Sequence, residues 1–126
     1  MTKILVVDDE PDVLALIKII LEGAGFEVVT ANDGVEGLWK ARDGNPDLVL
    51  TDMVMPGLTG VDLLKKLKSK EETRRIPVII FSVLDRDVDR QMSKEAGAND
   101  FLTKPRDAKE ILAFVEKIKN FINKPI

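Results

Sequence analysis

The sequence predicts an α/β fold: a three-layer (βα)5 sandwich built on a five-stranded parallel sheet of order 2-1-3-4-5. Three observations carry this expectation. Five short β-type runs alternate strictly with five helical patterns from end to end. Three of those runs, ILVV, LVLT and VIIF, are almost continuously apolar, as strands covered on both faces are. The length, 126 residues, suits one open sheet and falls short of the roughly 200 or more that a closed α/β barrel needs. With right-handed crossovers, the flavodoxin-like strand order is then the favoured arrangement.

The strands are expected at Ile4–Val7, Glu27–Ala31, Leu48–Thr51, Val78–Phe81 and Phe101–Thr103. The second is the most polar and belongs near an edge. Before it, Val13, Leu16, Ile17, Ile20, Leu21 and Ala24 recur at helical spacing, and Gly23 and Gly25 end that helix. Val35, Leu38 and Ala41 mark the second helix, stopped by Gly44-Asn45-Pro46. Val61, Leu64 and Leu67 mark the third. The fourth, from about Asp87 to Ala96, is weakly apolar (Val88, Met92) and stops at Gly97. The fifth runs from about Asp107 to Asn123 and carries Ile111, Leu112, Val115, Ile118 and Ile122.

Composition narrows the chemistry. With 44% hydrophobic residues the chain can bury a core, and 19 basic against 22 acidic side chains leave a net charge of −3. That balance offers no broad field for nucleic acid or an anionic membrane, so neither is expected as a direct partner. There is no cysteine and no histidine. Disulfides, thiolate chemistry, histidine-based triads and histidine-ligated zinc are thereby excluded. The N-terminus runs straight into an apolar strand without a signal-like segment, and the apolar stretch Val13–Leu21 is too short to span a bilayer. A cytoplasmic protein forming one domain over residues 1–126 is expected, with Asn123-Lys124-Pro125-Ile126 either a natural end or the start of a linker.

In open α/β sheets the functional site lies beyond the carboxyl ends of the strands, near the switch in strand order. Strand one ends in Asp8-Asp9-Glu10, strand three in Asp52, strand four in Ser82 and strand five in Lys104-Pro105. In the order 2-1-3, strands one and three are neighbours, so Asp8, Asp9 and Asp52 should converge, with Ser82 and Lys104 closing the site. Clustered carboxylates repel, so they either hold a proton or recruit a cation. With oxygen ligands alone that cation should be hard, Mg²⁺ or Mn²⁺. A carboxylate beside such an ion, facing a lysine and a hydroxyl, is equipment for phosphoryl transfer through an acyl phosphate.

The runs ILVVDDEPD and DLVLTDMVMPGLTG, Ser82 after VIIF, and AGANDFLTKP together resemble the response-regulator receiver family of two-component signalling, over essentially the whole chain. The resemblance implies a phosphoacceptor switch that assists its own phosphorylation and dephosphorylation, not an enzyme. Asp52 would take the phosphoryl group from a histidine kinase or histidine phosphotransfer protein. Asp8 and Asp9 would hold Mg²⁺ together with Asp52 and the backbone carbonyl of Val54. Lys104 would contact the phosphoryl group, Ser82 would swing toward it, and Phe101 would turn inward, reshaping the fourth helix, fifth strand and fifth helix for an output protein. The family also implies a cis peptide between Lys104 and Pro105. Leu14, Ala15, Lys18 and Ile19, outside the first helix's core stripe, would form the docking patch for the phosphodonor. The chain would be a monomer or a weak, phosphorylation-linked dimer.

Three positions depart from the common family pattern. Val83 stands where a smaller residue is usual, which would tighten access. Val54 and Leu84, which tune hydrolysis in the family, are both apolar here and cannot orient an attacking water, so a long-lived phosphoryl group is expected. Other readings compete. Asp8 and Asp9 before Pro11 also suit a helix start. A small phosphohydrolase with an Asp nucleophile would want an acidic residue where Val54 sits. A flavodoxin-type phosphate loop would be repelled by Asp8-Asp9-Glu10. A phosphorelay intermediate and a phosphorylation-independent interaction module are the remaining alternatives. Trp39 reads as a partly exposed surface residue, and Arg86, Arg90, Lys94, Arg106 and Lys109 as a solvated face.

Overall fold

The computed structural model describes residues 1–83 and 85–123. Its elements are β1 (Lys3–Val7), α1 (Pro11–Gly23), β2 (Glu27–Ala31), α2 (Gly34–Gly44), β3 (Leu48–Asp52), α3 (Gly60–Ser69), β4 (Val78–Ser82), α4 (Asp87–Glu95), β5 (Asp100–Thr103) and α5 (Ala108–Ile122). All strands pair in parallel in the order β2-β1-β3-β4-β5. The polar second strand is indeed at an edge.

Local chemistry sets the helix ends. Pro11 opens α1, where its missing N–H costs nothing. Asp33 and Asp107 accept the backbone N–H of Glu36 and Glu110, each at 2.8 Å, and so cap α2 and α5. Thr59 and Asp62 form a reciprocal capping box at the start of α3. Asn45 ends α2 in the left-handed region, φ 45°, a conformation that asparagine tolerates.

Successive strand residues point to opposite faces, and each face has its own core. Leu5, Val7, Val49, Val78 and Ile80 pack with Val61, Leu64 and Leu67 of α3. Ile4, Val6, Leu48, Leu50, Ile79 and Phe81 pack with α1 and α5 through Leu14, Ile17, Leu21, Phe114 and Ile118.

Three helical faces differ from expectation. In α1 the buried residues are Leu14, Ile17 and Leu21, while Leu16 is exposed. The run VLALIKIIL is apolar enough to support two overlapping stripes, and the sheet selects the one through Leu14. In α5, Phe114 and Ile118 are buried and Leu112 is exposed. In α4, Val88 and Met92 face solvent and the buried residues are Asp89 and Ser93. Among the described residues, no helix is long and apolar enough to cross a membrane.

Candidate functional site at the carboxyl edge of the sheet

β1 and β3 lie side by side, with Val7 opposite Thr51, so the residues that follow them leave the sheet at one corner. Asp8 is fully buried there; its backbone N–H donates to Ala31 O and its Oδ1 accepts the N–H of Glu10 at 3.0 Å. Asp52, the last residue of β3, is also buried, and its Oδ1 accepts the N–H of Met53 at 2.8 Å. Lys104 reaches the same corner from the far side of β5. Its backbone N–H donates to Ser82 O at 2.8 Å, and its ammonium lies 5.1 Å from the centre of the Phe81 ring.

The Lys104 ammonium is 2.8 Å from Asp8 Oδ2, 3.3 Å from Asp52 Oδ2 and 3.9 Å from Glu10 Oε1. One buried cation therefore touches carboxylates from two neighbouring strands. Burial pushes the Asp52 carboxyl up to about 6, and the Asp8 charge adds to that rise, while Lys104 and the Met53 N–H oppose it. Burial alone would lower the Lys104 ammonium, but Asp8 and Asp52 together outweigh it and hold the ammonium above its usual value.

Asp8, Asp9 and Glu10 each offer a carboxylate oxygen, all within 4.8 Å of one another, with Asp9 and Glu10 open to solvent. Asp8 Oδ2 is buried 2.8 Å from the Lys104 ammonium. An all-oxygen set with an open side fits a hard, part-hydrated divalent cation. Glu10, which chain topology already brought to this edge, joins the cluster without having been singled out as a ligand candidate. Its acidity beside Asp8 and Asp9 was the available signal.

Ser82, the last residue of β4, is buried opposite Thr103, and Phe101 is buried opposite Ile80. The side chains of Val54 and Val83 are exposed. Leu84 lies outside the described residues, as do Lys124, Pro125 and Ile126.

Two expectations are corrected. No cis peptide bond occurs among the described residues, so Lys104–Pro105 is trans, the isomer that X–Pro bonds favour by about 0.5–1 kcal/mol. Leu14 cannot dock a partner, because it is 5% exposed and belongs to the core between α1 and the sheet. Ala15 and Ile19 remain on the surface beside Leu16, and Lys18 is occupied by Glu22 at 2.8 Å.

Gly60 holds a place that spacing did not predict. A β-carbon there would stand 2.0 Å from the carbonyl oxygen of Asp52. The first turn of α3 thus approaches the Asp52 backbone as closely as only glycine permits, and the Gly60 N–H donates to Met53 O at 3.0 Å.

The response regulator receiver domain model matches residues 4–116. Protein PilH of Pseudomonas aeruginosa is 40% identical over 118 residues, covering 94% of this chain and 98% of PilH. The alkaline phosphatase synthesis transcriptional regulatory protein PhoP of Bacillus subtilis is 38% identical over 116 residues, 92% of this chain but 48% of PhoP. The chain thus spans about half the length of that relative. Among solved structures, the Mn²⁺-bound form of response regulator Rcp1 superposes with a TM-score of 0.83 at 25% identity, covering 100% of this chain and 97% of that one.

Proposed function

Since the chain belongs to the response regulator receiver domain family of two-component signalling, we propose that Asp52 accepts a phosphoryl group from a histidine kinase or histidine phosphotransfer protein and that its phosphorylation switches a partner-binding face. As a receiver domain the chain is a switch, not an enzyme with a separate substrate. The observation that carries the residue assignment is the buried corner where Lys104 touches both Asp52 and Asp8.

The Asp52 carboxylate attacks phosphorus as the bond from phosphorus to the donor nitrogen breaks, giving an acyl phosphate. Lys104 then donates to a phosphoryl oxygen, and Ser82 supplies a second hydrogen bond. Asp8, Asp9 and Asp52, with the Val54 carbonyl, are the residues that would hold Mg²⁺ or Mn²⁺. That response regulator Rcp1 has an Mn²⁺-bound form supports a divalent cation here. When bound, the ion supplies charge neutralisation on the phosphoryl oxygens.

The phosphoryl group adds roughly −1.5 to −2 of charge beside Lys104 and Ser82. Moving the switch from about 1:99 to 99:1 takes about 5.5 kcal/mol of differential interaction, within reach of two or three charge-assisted hydrogen bonds. Ser82 and Phe101 pass the change to α4, β5 and α5. The α1 surface around Ala15 and Ile19 is the face offered to the phosphodonor. Exposed, apolar Val54 offers no group to orient a hydrolytic water, which favours a persistent phosphoryl group. Intact-mass analysis after incubation with acetyl phosphate tests the proposal. One Mg²⁺-dependent phosphoryl adduct on the native chain and none on Asp52→Asn is the expected result. An adduct that survives Asp52→Asn would place the chemistry elsewhere.

A further inference from the structure

α4 is anchored in an unusual way. Its buried side chains are Asp89 and Ser93, while its larger apolar residues, Val88 and Met92, face solvent. Asp89 is bound twice by Arg86, at 2.8 and 3.0 Å, and Ser93 Oγ has no hydrogen-bond partner. The helix therefore buries no large apolar side chain.

Arg90 makes the contacts that reach farthest. Its Nε donates to Asp85 Oδ1 at 2.5 Å, and its guanidinium carbon lies 4.9 Å from the centre of the Phe101 ring. The other Asp85 oxygen accepts the Thr103 hydroxyl at 3.3 Å. Thr103 is the ladder partner of Ser82, and Asp85 follows Ser82 by three residues. A single side chain thus covers the aromatic ring and ties it to both segments next to the serine. Under it, Phe101 is 7% exposed.

We infer that Arg90 is a positioning residue for the switch: anchored to Asp85 and stacked on Phe101, its guanidinium holds the ring buried and couples the ring to the segment following Ser82. This rests on the reading of Asp52 as phosphoacceptor and of the buried-ring conformer, the one seen here, as the one that phosphorylation favours. Removing Arg90 lowers the population of the buried-ring conformer, and by linkage weakens whatever binds that conformer better. The Arg90 side chain is 46% exposed, so the expected effect is about three- to tenfold, the range of one cation–π contact plus one exposed ion pair.

The test uses chain labelled with 4-fluorophenylalanine, the Phe101 signal being assigned by its loss in Phe101→Leu. Exposure of the ring is read from the solvent isotope shift of that signal, and beryllofluoride with Mg²⁺ serves as the phosphoryl mimic. Arg90→Ala is expected to expose the ring in the free protein and to raise the half-conversion concentration of beryllofluoride about three- to tenfold. Asp85→Ala, which removes both oxygens of the same clasp, is expected to do likewise, and it decides alone should Arg90→Ala not fold. The double variant should add nothing further. Native-like ring exposure and half-conversion in both single variants would overturn the clasp while leaving the phosphoacceptor reading intact. A native chain that takes up no beryllofluoride would overturn that reading, and with it Arg90's part in a switch.

Discussion

At Asp52, burial and the Asp8 charge push the carboxyl up against Lys104 and the Met53 N–H, and it settles at about 6. A carboxyl that holds its proton more tightly folded than unfolded stabilises the protein below its unfolded value, near 3.8, and loses that contribution as pH rises through about 6. At pH 7 in chelator, ionised Asp52 is therefore a net cost. Asp52→Asn is expected to raise metal-free stability there by about 1–3 kcal/mol, the gain shrinking to nothing near pH 3.5. Denaturant melts at the two pH values check this, and an Asn variant less stable at pH 7 would contradict it. Lys104→Met has the opposite sign. It strips the shared cation from Asp8 and Asp52, costing roughly 3 kcal/mol in chelator. Added Mg²⁺ should recover more stability in that variant than in the native chain, since the ion then has no ammonium competing for Asp8. Thermal melts with and without Mg²⁺ make the comparison.

Among the elements, α1 and α3 give the sharpest contrasts. Leu14 lies in the core and Ile19, one and a half turns later, is 68% exposed. Leu14→Ala should cost about 2–5 kcal/mol, while Ile19→Ala should stay within about 0.5 kcal/mol and instead weaken phosphoryl transfer from a protein donor. Equal stability losses would contradict this seating of α1 on the sheet. For α3, Gly60→Ala forces a methyl into the Asp52 carbonyl. Backbone cannot yield there as a flexible side chain could, so a loss of about 1–3 kcal/mol or more is expected. Phosphorylation should slow as well, because the displaced atoms carry the acceptor. A variant with native stability and rate would show that the helix start adjusts freely. The α1 face was ambiguous because nearly every residue from Val13 to Leu21 is apolar. Periodicity then ranks faces poorly, and only the sheet distinguishes them.

For the molecule as a whole, alternating apolar runs and helical stripes were enough to read the strand order, since β1, β3 and β4 are covered on both faces and announce themselves by composition. Strand ends were legible to within a residue. The residues just past the apolar runs, Asp52 and Ser82, turned out to finish β3 and β4, because a polar residue can complete a ladder without continuing an apolar pattern. The corner of Asp8, Asp52 and Lys104 was legible because topology alone brings those strand ends together. The reach of Arg90 to Phe101 and the approach of Gly60 to Asp52 were not, since each depends on how a helix is seated and not on any local period. The assembled account makes the carboxyl edge of the sheet a cation-assisted phosphoacceptor. A crystal structure of the chain grown with Mn²⁺ and beryllofluoride tests that claim most directly. The account predicts one strong anomalous peak among Asp8, Asp9 and Asp52, with beryllofluoride joined to Asp52 and facing Lys104. A manganese peak away from those three residues, or beryllofluoride on another carboxylate, would contradict it.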